Sequence, residues 1–331
     1  MSNSGESPTL SPEFARRLYA RQSALFIFAV GCGAAVFCAM GCFGSLHQVF
    51  ELTTHFYLQY TVVLTVAVLG LLALKRWKPS LFLAAFLALC LAKIAPLYAS
   101  PGQAADAQAA HLRVGTINVN TENTAYDKVV SAVSAASPDV VAFEETDSTW
   151  LKHLKSGLAR DYPNFWVYPL SDNFGIAIFS KRPLSNTVLH TYGGVNLPCL
   201  LATIDVGGKP VTVVAMHTFP PMTDGGLKAR DREMEGLVAE KQLLGERFIV
   251  MGDFNCTRWS PYFKRMLEGL NARDSSIGFG LQASWPTQTV IFRIPIDQIL
   301  TSKHFITTRR WLGPQTGSDH FPVFADLALQ R

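Results

Sequence analysis

The sequence is poor in charged residues, and the part after residue 110 contains no block of lysine and arginine with interleaved aromatic residues. Charged residues make up 16% of the 331 residues, and the formal net charge is only +4. Proteins dedicated to nucleic acids usually present a basic surface that neutralises phosphates. The composition therefore does not favour nucleic acid as the main partner.

Cysteine is also scarce, and no pair has the C-x-x-C spacing of common metal sites. Cys199 and Cys256 are the only two cysteines after residue 100. They could form a disulfide in an oxidising compartment, but we expect two buried free thiols. The other four cysteines lie in apolar stretches: Cys32, Cys38, Cys42 and Cys90.

Apolar residues, by contrast, are abundant. They make up 49% of the chain, and its mean hydropathy is +0.19. The excess lies in three stretches within the first hundred residues, at 23–46, 56–74 and 80–99. Each stretch is about long enough to cross a hydrocarbon layer of ~30 Å. We therefore predict a cytoplasmic tail at residues 1–22 and three transmembrane helices within residues 23–99.

Basic residues beside these stretches predict which side of the membrane the rest of the chain occupies. The loop at 47–55 has no lysine or arginine, so the positive-inside rule places it outside. The flanking basic residues are Arg16, Arg17 and Arg21 before the first stretch and Lys75, Arg76 and Lys78 between the second and third. We thus expect a multi-pass protein of the cytoplasmic (inner) membrane, with a linker at 100–110 and an extracytoplasmic domain at 111–331. A cleaved signal peptide is the alternative.

The pattern of apolar residues after the linker predicts many strands and a few helices. Helices are expected at 125–136 and 227–244, and Gly207-Gly208 should close a hairpin. The predicted strands are 112–119, 140–143, 174–180, 199–206, 211–216, 248–251, 296–300 and 321–329. This order predicts an α/β fold, a two-sheet β-sandwich flanked by helices, preceded by the three-helix transmembrane segment.

Polar residues recur at the ends of these apolar strands, where functional groups usually cluster. They supply carboxylates, amides and two histidines, but no serine or cysteine nucleophile in a recognisable turn. Taken alone, each motif is at least as typical of a turn, a solvated edge or a strand cap as of a catalytic site, and only their conjunction favours catalysis. The six motifs are Thr116 to Asn120, Phe143 to Thr146, Met216 to Thr218, Gly252 to Asn255, Ile296 to Gln298, and Gly317 to His320.

The order of these motifs resembles the endonuclease/exonuclease/phosphatase family, which includes DNase I-like nucleases, sphingomyelinases and inositol-phosphate phosphatases. The likeness covers residues 110 to 331, and its most specific parts are Gly252-Asp253-Phe254-Asn255 and Ser318-Asp319-His320. The stretch from Asp253 to Ser260, the Ser284-Trp285-Pro286 motif and the three apolar stretches resemble membrane-anchored, VanJ-like members more closely.

The resemblance implies that a divalent cation is held by Asn118 and Glu145, with Asp319 contributing from the end of the domain. Oxygen ligands of this kind suit Mg²⁺ or Mn²⁺. The sequence departs from the family at Glu144, where glutamine is usual, and at Gln298, where histidine is frequent in the membrane-anchored members. Neither departure removes a predicted ligand.

The resemblance also implies the catalytic residues. A neutral His320, backed by Asp297, could accept a proton from the attacking water, because such a carboxylate stabilises the imidazolium. Asp253 and Asn255 would orient the water and the phosphate, and His217 would donate to a non-bridging oxygen. Whether Asp253 or His320 is the base stays open.

The function expected from these features is a membrane-anchored, metal-dependent phosphoesterase. Its partners would be the lipid bilayer and a phosphorylated lipid or lipid-linked carrier, because a tethered domain meets such substrates at high effective concentration. Aromatic residues could form an apolar rim for that substrate, although core packing explains them equally well. These aromatic residues are Trp259, Tyr262, Phe263 and Trp285.

Two alternatives stay open. An extracytoplasmic nuclease would use the same site but would need a basic groove, to which Arg230, Arg232, Arg258 and Arg293 could contribute. A non-catalytic membrane binding protein would be expected to have lost some of the site residues, and the sequence retains them all.

Overall fold

The computed structural model of the protein describes residues 11–99, 106 and 108–330. Most of the predicted linker at 100–110 lies outside the described residues, as does the first part of the predicted tail at 1–22. The rest of that tail is helical: the first helix begins at Pro12, and Ser11 caps it by accepting a hydrogen bond from the Phe14 amide. This helix therefore extends well beyond its apolar stretch.

Three helical segments in the N-terminal part are long and apolar enough to cross a membrane. The second begins at residue 48, eight residues before the predicted start, because a short helix and a 3-10 turn run directly into it. The helices are α1 (Pro12–Cys42), α2 (Gln48–Thr53), the 3-10 turn Thr54–Phe56, α3 (Tyr57–Ala73), α4 (Trp77–Ile94) and the 3-10 turn Ala95–Tyr98. The prediction of three long apolar helices is confirmed.

The rest of the described chain forms two six-stranded sheets. The strands are β1 (Ala110–Asn118), β2 (Val140–Glu144), β3 (Asn164–Tyr168), β4 (Ile176–Ser180), β5 (Ser185–His190), β6 (Cys199–Val206), β7 (Lys209–His217), β8 (Phe248–Asp253), β9 (Ala272–Asp274), β10 (Asp297–Ser302), β11 (Phe305–Leu312) and β12 (Val323–Leu329). The sheet orders are β11-β12-β1-β2-β4-β3 and β5-β6-β7-β8-β10-β9.

Helices cover the outer face of each sheet, and the inner faces pack on one another through aliphatic side chains such as Val114, Ile178 and Val213. Trp150 and Phe263 are among the large side chains that the helices bury against the sheets. The helices are α5 (Tyr126–Ala136), α6 (Ser148–Leu158), α7 (Asp224–Ala239), the 3-10 turn Lys241–Leu244 and α8 (Pro261–Leu270). The predicted two-sheet sandwich flanked by helices is confirmed.

The strand register explains why the polar motifs meet. In the first sheet, Asn118 at the end of β1 lies beside Glu144 at the end of the parallel strand β2. In the second sheet, Asp253 at the end of β8 lies beside His217 and opposite Asp297. Two central pairs of parallel strands thus deliver their carboxyl ends to the same place. Cys199 and Cys256 are buried free thiols, as expected.

Gly252 occupies a position in β8 that only glycine fits. Its φ is +150°, and an added Cβ would lie 1.8 Å from the backbone oxygen of Met216 in β7. Because backbone cannot move aside cheaply, we expect Gly252→Ala to lower the free energy of unfolding by about 3 kcal/mol. Thermal melting in detergent micelles would measure the loss. Gly225→Ala is the control, since its Cβ would meet only Thr223 Oγ1 at 3.8 Å; equal melting temperatures for the two variants would contradict the expectation.

Candidate active site

Asn118 joins the two sheets at the centre of the site. Its side chain is fully buried, and Nδ2 donates to Glu145 Oε1 at 2.8 Å and to Asp253 Oδ2 at 3.2 Å. Glu145 follows β2 with a φ of +60°, which turns its carboxylate toward Asn118. Burial raises the pKa of Glu145. The carboxylates of Glu145 and Asp253 thus converge on Asn118 and make this a place where positive charge is favoured.

His320 lies between two carboxylates contributed by the second sheet. Nδ1 is 3.0 Å from Asp297 Oδ2, and Nε2 is 3.6 Å from Asp253 Oδ2. Although burial alone would lower the pKa of His320, the charges of Asp297 and Asp253 raise it to about 10. Burial raises the pKa of Asp253 to about 6. The two carboxylates therefore favour the imidazolium form of His320, while the neutral imidazole base implied by the family resemblance stays a prediction.

His217 and Asn255 flank Asp253 on the other side. His217 Nε2 lies 3.6 Å from Asp253 Oδ2 and 3.4 Å from Asn255 Nδ2. The backbone amide of Asn255 donates to Asp253 Oδ1 at 2.8 Å, and the side-chain amide of Asn255 donates to the Thr218 carbonyl at 2.9 Å. Burial lowers the pKa of His217, so this imidazole is neutral at pH 7.

Asp319 lies at the edge of this network rather than at its centre. Oδ1 accepts from Asn120 Nδ2 and Oδ2 accepts from Trp285 Nε1, both at 2.9 Å. The Asn120 backbone amide in turn donates to Asn118 Oδ1 at 3.0 Å. All eight predicted site residues are thus connected, while the role of Asp319 as a direct metal ligand stays a prediction.

Glu144 explains one departure from the family pattern. Its side chain is fully buried, and Oε1 accepts from Thr116 Oγ1 at 2.7 Å. Burial raises the pKa of Glu144 well above its usual range. A neutral carboxylic acid has nearly the size and hydrogen-bonding capacity of glutamine, so Glu144 can occupy a glutamine position without adding charge.

We expect Glu144→Gln to keep the fold and to make stability less dependent on pH. A carboxyl group with a raised folded-state pKa stabilises the protein fully below its unfolded pKa of about 4.3 and loses that contribution as pH rises. Glutamine does not titrate. The melting temperature of Glu144→Gln relative to the original should therefore rise from pH 5 to pH 8, measured with EDTA present. A constant difference across this range would show that Glu144 is ionised in the folded protein.

The residues fit a hard divalent cation. Carboxylates, including Glu145, Asp253 and Asp297, outnumber the single imidazole of His320, and burial raises the pKa values of Glu145 and Asp253 although the charge of His320 lowers them. Ligand atoms of Asp253, Asp297 and His320 all lie within 4.8 Å of one another. Since Mg²⁺ prefers oxygen ligands to imidazole nitrogen, the oxygen set around Asn118 and Glu145 suits that ion better.

Sequence reasoning missed Arg310 and gave no role to Ser318, although Ser318 belongs to the Ser318-Asp319-His320 motif. The buried guanidinium of Arg310 donates to the Asp297 carbonyl at 3.1 Å, and Ser318 Oγ donates to the Asn118 carbonyl at 2.8 Å. Arg310 occupies a buried position of β11. The one signal in the sequence would have been an arginine where a strand is expected to carry an apolar residue. Trp285, first considered for a substrate rim, holds Asp319 instead.

The remaining aromatic candidates for a rim have other tasks. Trp259 Nε1 donates to the Lys93 carbonyl at 2.9 Å, and its ring packs against the apolar N-terminal helices. Phe263 belongs to the core, and Tyr262 packs beside it. The core interpretation of these side chains is therefore the better one.

A family model described as "Endonuclease/Exonuclease/phosphatase family" matches residues 115–320. A phospholipase C of Staphylococcus aureus is 25% identical over 184 residues, which are 51% of this chain and 53% of that protein. The alignment thus spans about half the length of this curated relative.

Two solved structures share the fold. An endonuclease/exonuclease/phosphatase family protein from Bacteroides thetaiotaomicron superposes with a TM-score of 0.56 and 19% identity, covering 68% of this chain and 100% of that one. D. rerio TDP2 in complex with a single-strand DNA product superposes with a TM-score of 0.55 and 17% identity, covering 66% and 98%.

Proposed function

Because the chain belongs to the endonuclease/exonuclease/phosphatase family, we propose that it is a metal-dependent hydrolase of phosphate esters or phosphodiesters. Its substrate is a phosphorylated lipid or lipid-linked carrier, met outside the cytoplasmic membrane. The main support is the buried contact of His320 with both Asp297 and Asp253, next to the Asn118–Glu145 pair. This group of side chains contains an acid, a base and a place for a cation.

Asn118 and Glu145 would hold Mg²⁺ or Mn²⁺ in this proposal, with Asp319 as the third predicted ligand, and Asp319 also supports Asn118 through Asn120. When bound, the cation polarises a phosphoryl oxygen and neutralises charge that develops during phosphoryl transfer. Asp319 keeps the Asn120 side chain in place through the 2.9 Å hydrogen bond from its Nδ2. Asn120 in turn orients Asn118.

Asp253 is the better candidate for the general base. With a pKa of about 6 it is largely ionised at pH 7, yet it is basic enough to accept a proton from water,. In this proposal His320 is protonated and donates its Nδ1 proton to Asp297 Oδ2. The Nε2 proton of His320 can then stabilise the negative charge of the phosphoryl group and reach the leaving oxygen.

Asn255 and His217 orient the phosphate. The side chain of Asn255 is fixed by its hydrogen bond to the Thr218 carbonyl, and the neutral His217 can donate one hydrogen bond to a non-bridging oxygen. Fixed donors of this kind stabilise charge without reorganising during the reaction.

The surroundings of the site favour a lipid substrate. Gln59 at the start of α3 donates to the carbonyls of Ile291 and Arg293. The side chains of Val290, Ile291 and Phe292 are exposed by 75%, 72% and 60%. Such a contiguous apolar tip is typical of a surface that meets a membrane or a lipid. The same loop begins at Trp285, which contacts Asp319, so the tip is connected to the site.

The nuclease alternative has weaker support. Of the four arginines considered for a basic groove, Arg230 is fully buried, Arg258 pairs with Asp274, and Arg293 donates to backbone carbonyls of its own loop. Only Arg232 among them is exposed. The phospholipase C relative is matched by sequence, whereas the DNA-bound structure is matched by its fold. The comparison therefore favours a lipid substrate over nucleic acid.

Purified full-length protein in detergent micelles tests the proposal. Phosphatidylcholine, a polyprenyl pyrophosphate and single-stranded DNA are offered in parallel with Mg²⁺ or with EDTA, and His320→Ala serves as the control for contaminating activity. We expect Mg²⁺-dependent release of phosphate or phosphorylated headgroup from a lipid. Cleavage of DNA alone would support the nuclease alternative, and lipid binding without any hydrolysis would support a non-catalytic binding protein.

A further inference from the structure

The N-terminal apolar segment contacts the loop that follows β8. Two residues of this segment, Glu51 in α2 and His55 in the next turn, are buried with Arg230 of α7; their exposed fractions are 0%, 4% and 0%. Burying a charge is costly unless a partner compensates it. These contacts therefore define one arrangement of the segment against the catalytic domain.

One branch of the contact runs through Arg230 to Asn255. Arg230 Nη2 lies 3.1 Å from Glu51 Oε1, and Nη1 donates to the Asn255 carbonyl at 3.3 Å. The other guanidinium protons are directed at Asp231 Oδ1. Neither Glu51 oxygen has a hydrogen bond of good geometry with the described residues, so charge holds this pair. Asn255 has a φ of +47°, a conformation that a non-glycine residue keeps only with support from its surroundings,.

A second branch runs through His55 to Thr257. The Thr257 amide donates to His55 Nδ1 at 3.4 Å, and its hydroxyl oxygen lies 3.0 Å from the same nitrogen. Nδ1 therefore has no proton in this contact, and the proton on Nε2 faces Glu51 Oε1 at 3.5 Å. One carboxylate thus orients both side chains that hold the two ends of the segment 255–257.

We infer that Glu51 is a positioning residue of the active site: through Arg230 and His55 it fixes the backbone that presents Asp253 and Asn255. The inference rests on the proposed function, in which these two residues act on the water and the phosphate. The apolar segment is then a structural part of the catalytic site, and its role exceeds that of a tether. In this view the helical segment 48–73, which includes Glu51 and His55, both anchors the domain near its substrate and fixes the geometry of the catalytic loop.

Glu51→Gln in the full-length protein, in detergent micelles, tests this inference. The substitution keeps the size of the side chain and removes the charge that orients Arg230. Because misplacing a catalytic group by about 1 Å can cost about 10²-fold in rate, we expect kcat for a small soluble phosphodiester to fall about 10- to 100-fold, with a smaller change in KM. Glu51→Asp should recover part of the loss.

Trp259→Phe is the matched control. It lies at the same junction and loses only the hydrogen bond to the Lys93 carbonyl, while its ring still packs on the helices. We expect this variant to keep the kcat of the original protein. An equal loss in Trp259→Phe and Glu51→Gln would mean that any weakening of the junction lowers activity, and it would overturn the specific role of Glu51.

Amide hydrogen exchange gives a readout that does not depend on activity. Glu51→Gln should exchange faster in residues 252–258, and Glu51→Asp should lie between it and the original. If Glu51→Gln does not fold, Glu51→Asp replaces it as the test. Its amide exchange in residues 252–258 should be faster than in the original protein, and its kcat should be lower. Unchanged exchange together with unchanged kcat would overturn the inference. If the original protein hydrolyses no phosphoester, the proposed function fails, while the exchange result still tests the positioning of the loop.

Discussion

Replacing His320 with alanine is expected to lower kcat for phosphoester hydrolysis by about 10²- to 10⁴-fold. The imidazolium is the one buried cation that contacts both Asp253 and Asp297 among the described residues. Without it, no proton faces the leaving oxygen, and the two carboxylates repel one another. Steady-state hydrolysis by the full-length protein in detergent micelles, at saturating Mg²⁺, measures the loss.

His111→Ala is the matched control, because His111 is exposed near the start of β1. It should leave kcat unchanged. Asp297→Asn should reduce kcat in the same direction as His320→Ala, since an amide cannot stabilise the imidazolium. If His320→Ala kept the activity of the original protein while Asp253→Asn abolished it, His320 would have no part in the proton transfer that we propose.

Replacing Glu145 with glutamine is expected to raise the Mg²⁺ concentration for half-maximal activity by at least about 10-fold. Glutamine keeps the shape of the side chain but removes the negative charge that a hard cation requires. Since Asn118 Nδ2 is hydrogen-bonded to Glu145 Oε1 at 2.8 Å, the fold around the site should survive the exchange. Activity measured over a Mg²⁺ titration gives the shift.

Glu122→Gln tests whether the effect is specific. Glu122 is an exposed carboxylate four positions from Asn118, so it reports any general influence of surface charge on Mg²⁺ activation. We expect its Mg²⁺ titration to match that of the original protein. Identical titrations for Glu145→Gln and the original protein would place the cation elsewhere, with the cluster of Asp253, Asp297 and His320 as the next candidate.

The site could be predicted from the sequence because its residues stand at the ends of short apolar strands. Once β7 and β8 are parallel neighbours, His217 and Asp253 must lie side by side. Once β10 runs antiparallel to β8, Asp297 must lie opposite Asp253. Local patterns thus contain much of the geometry. Their catalytic roles are still predictions that the variants above test.

Two helices were missed although the sequence contains their signals. In α6, Trp150, Leu154 and Leu158 lie four residues apart on one face, and Asp147 caps the helix. In α8, Phe263 and Met266 share the buried face. Both helices are short, with 11 and 10 residues, so each contains few repeats of the helical period.

The missed strands lie at or near the sheet edges, where the alternating pattern is weak. Most side chains of β5 (Ser185–His190) are exposed, so that strand lacks an apolar face. β3 (Asn164–Tyr168) contains aromatic residues that are only partly buried. Although β3 and β5 pair with the strands that follow them in the chain, their side chains are not buried between two sheet faces, so the period-two pattern of apolar residues is weak.

The pairing of the N-terminal segment with the catalytic loop could not be predicted from one sequence. Glu51 and Arg230 are charged residues of the kind usually found on a protein surface, and Arg230 was considered for a basic groove. Only the fold shows that both are buried together. Local patterns report secondary structure, whereas the burial of a charge depends on a partner far along the chain.

The most direct test of the central claim is the rate of lipid phosphoester hydrolysis before and after removal of divalent cations. Full-length protein in detergent micelles is treated with EDTA, assayed, and then assayed again after Mg²⁺ or Mn²⁺ is added in excess. We predict that EDTA abolishes hydrolysis and that either cation restores it in the original protein but not in His320→Ala. Hydrolysis at an undiminished rate in EDTA would contradict the account, because the carboxylates around Asn118 would then act without a cation.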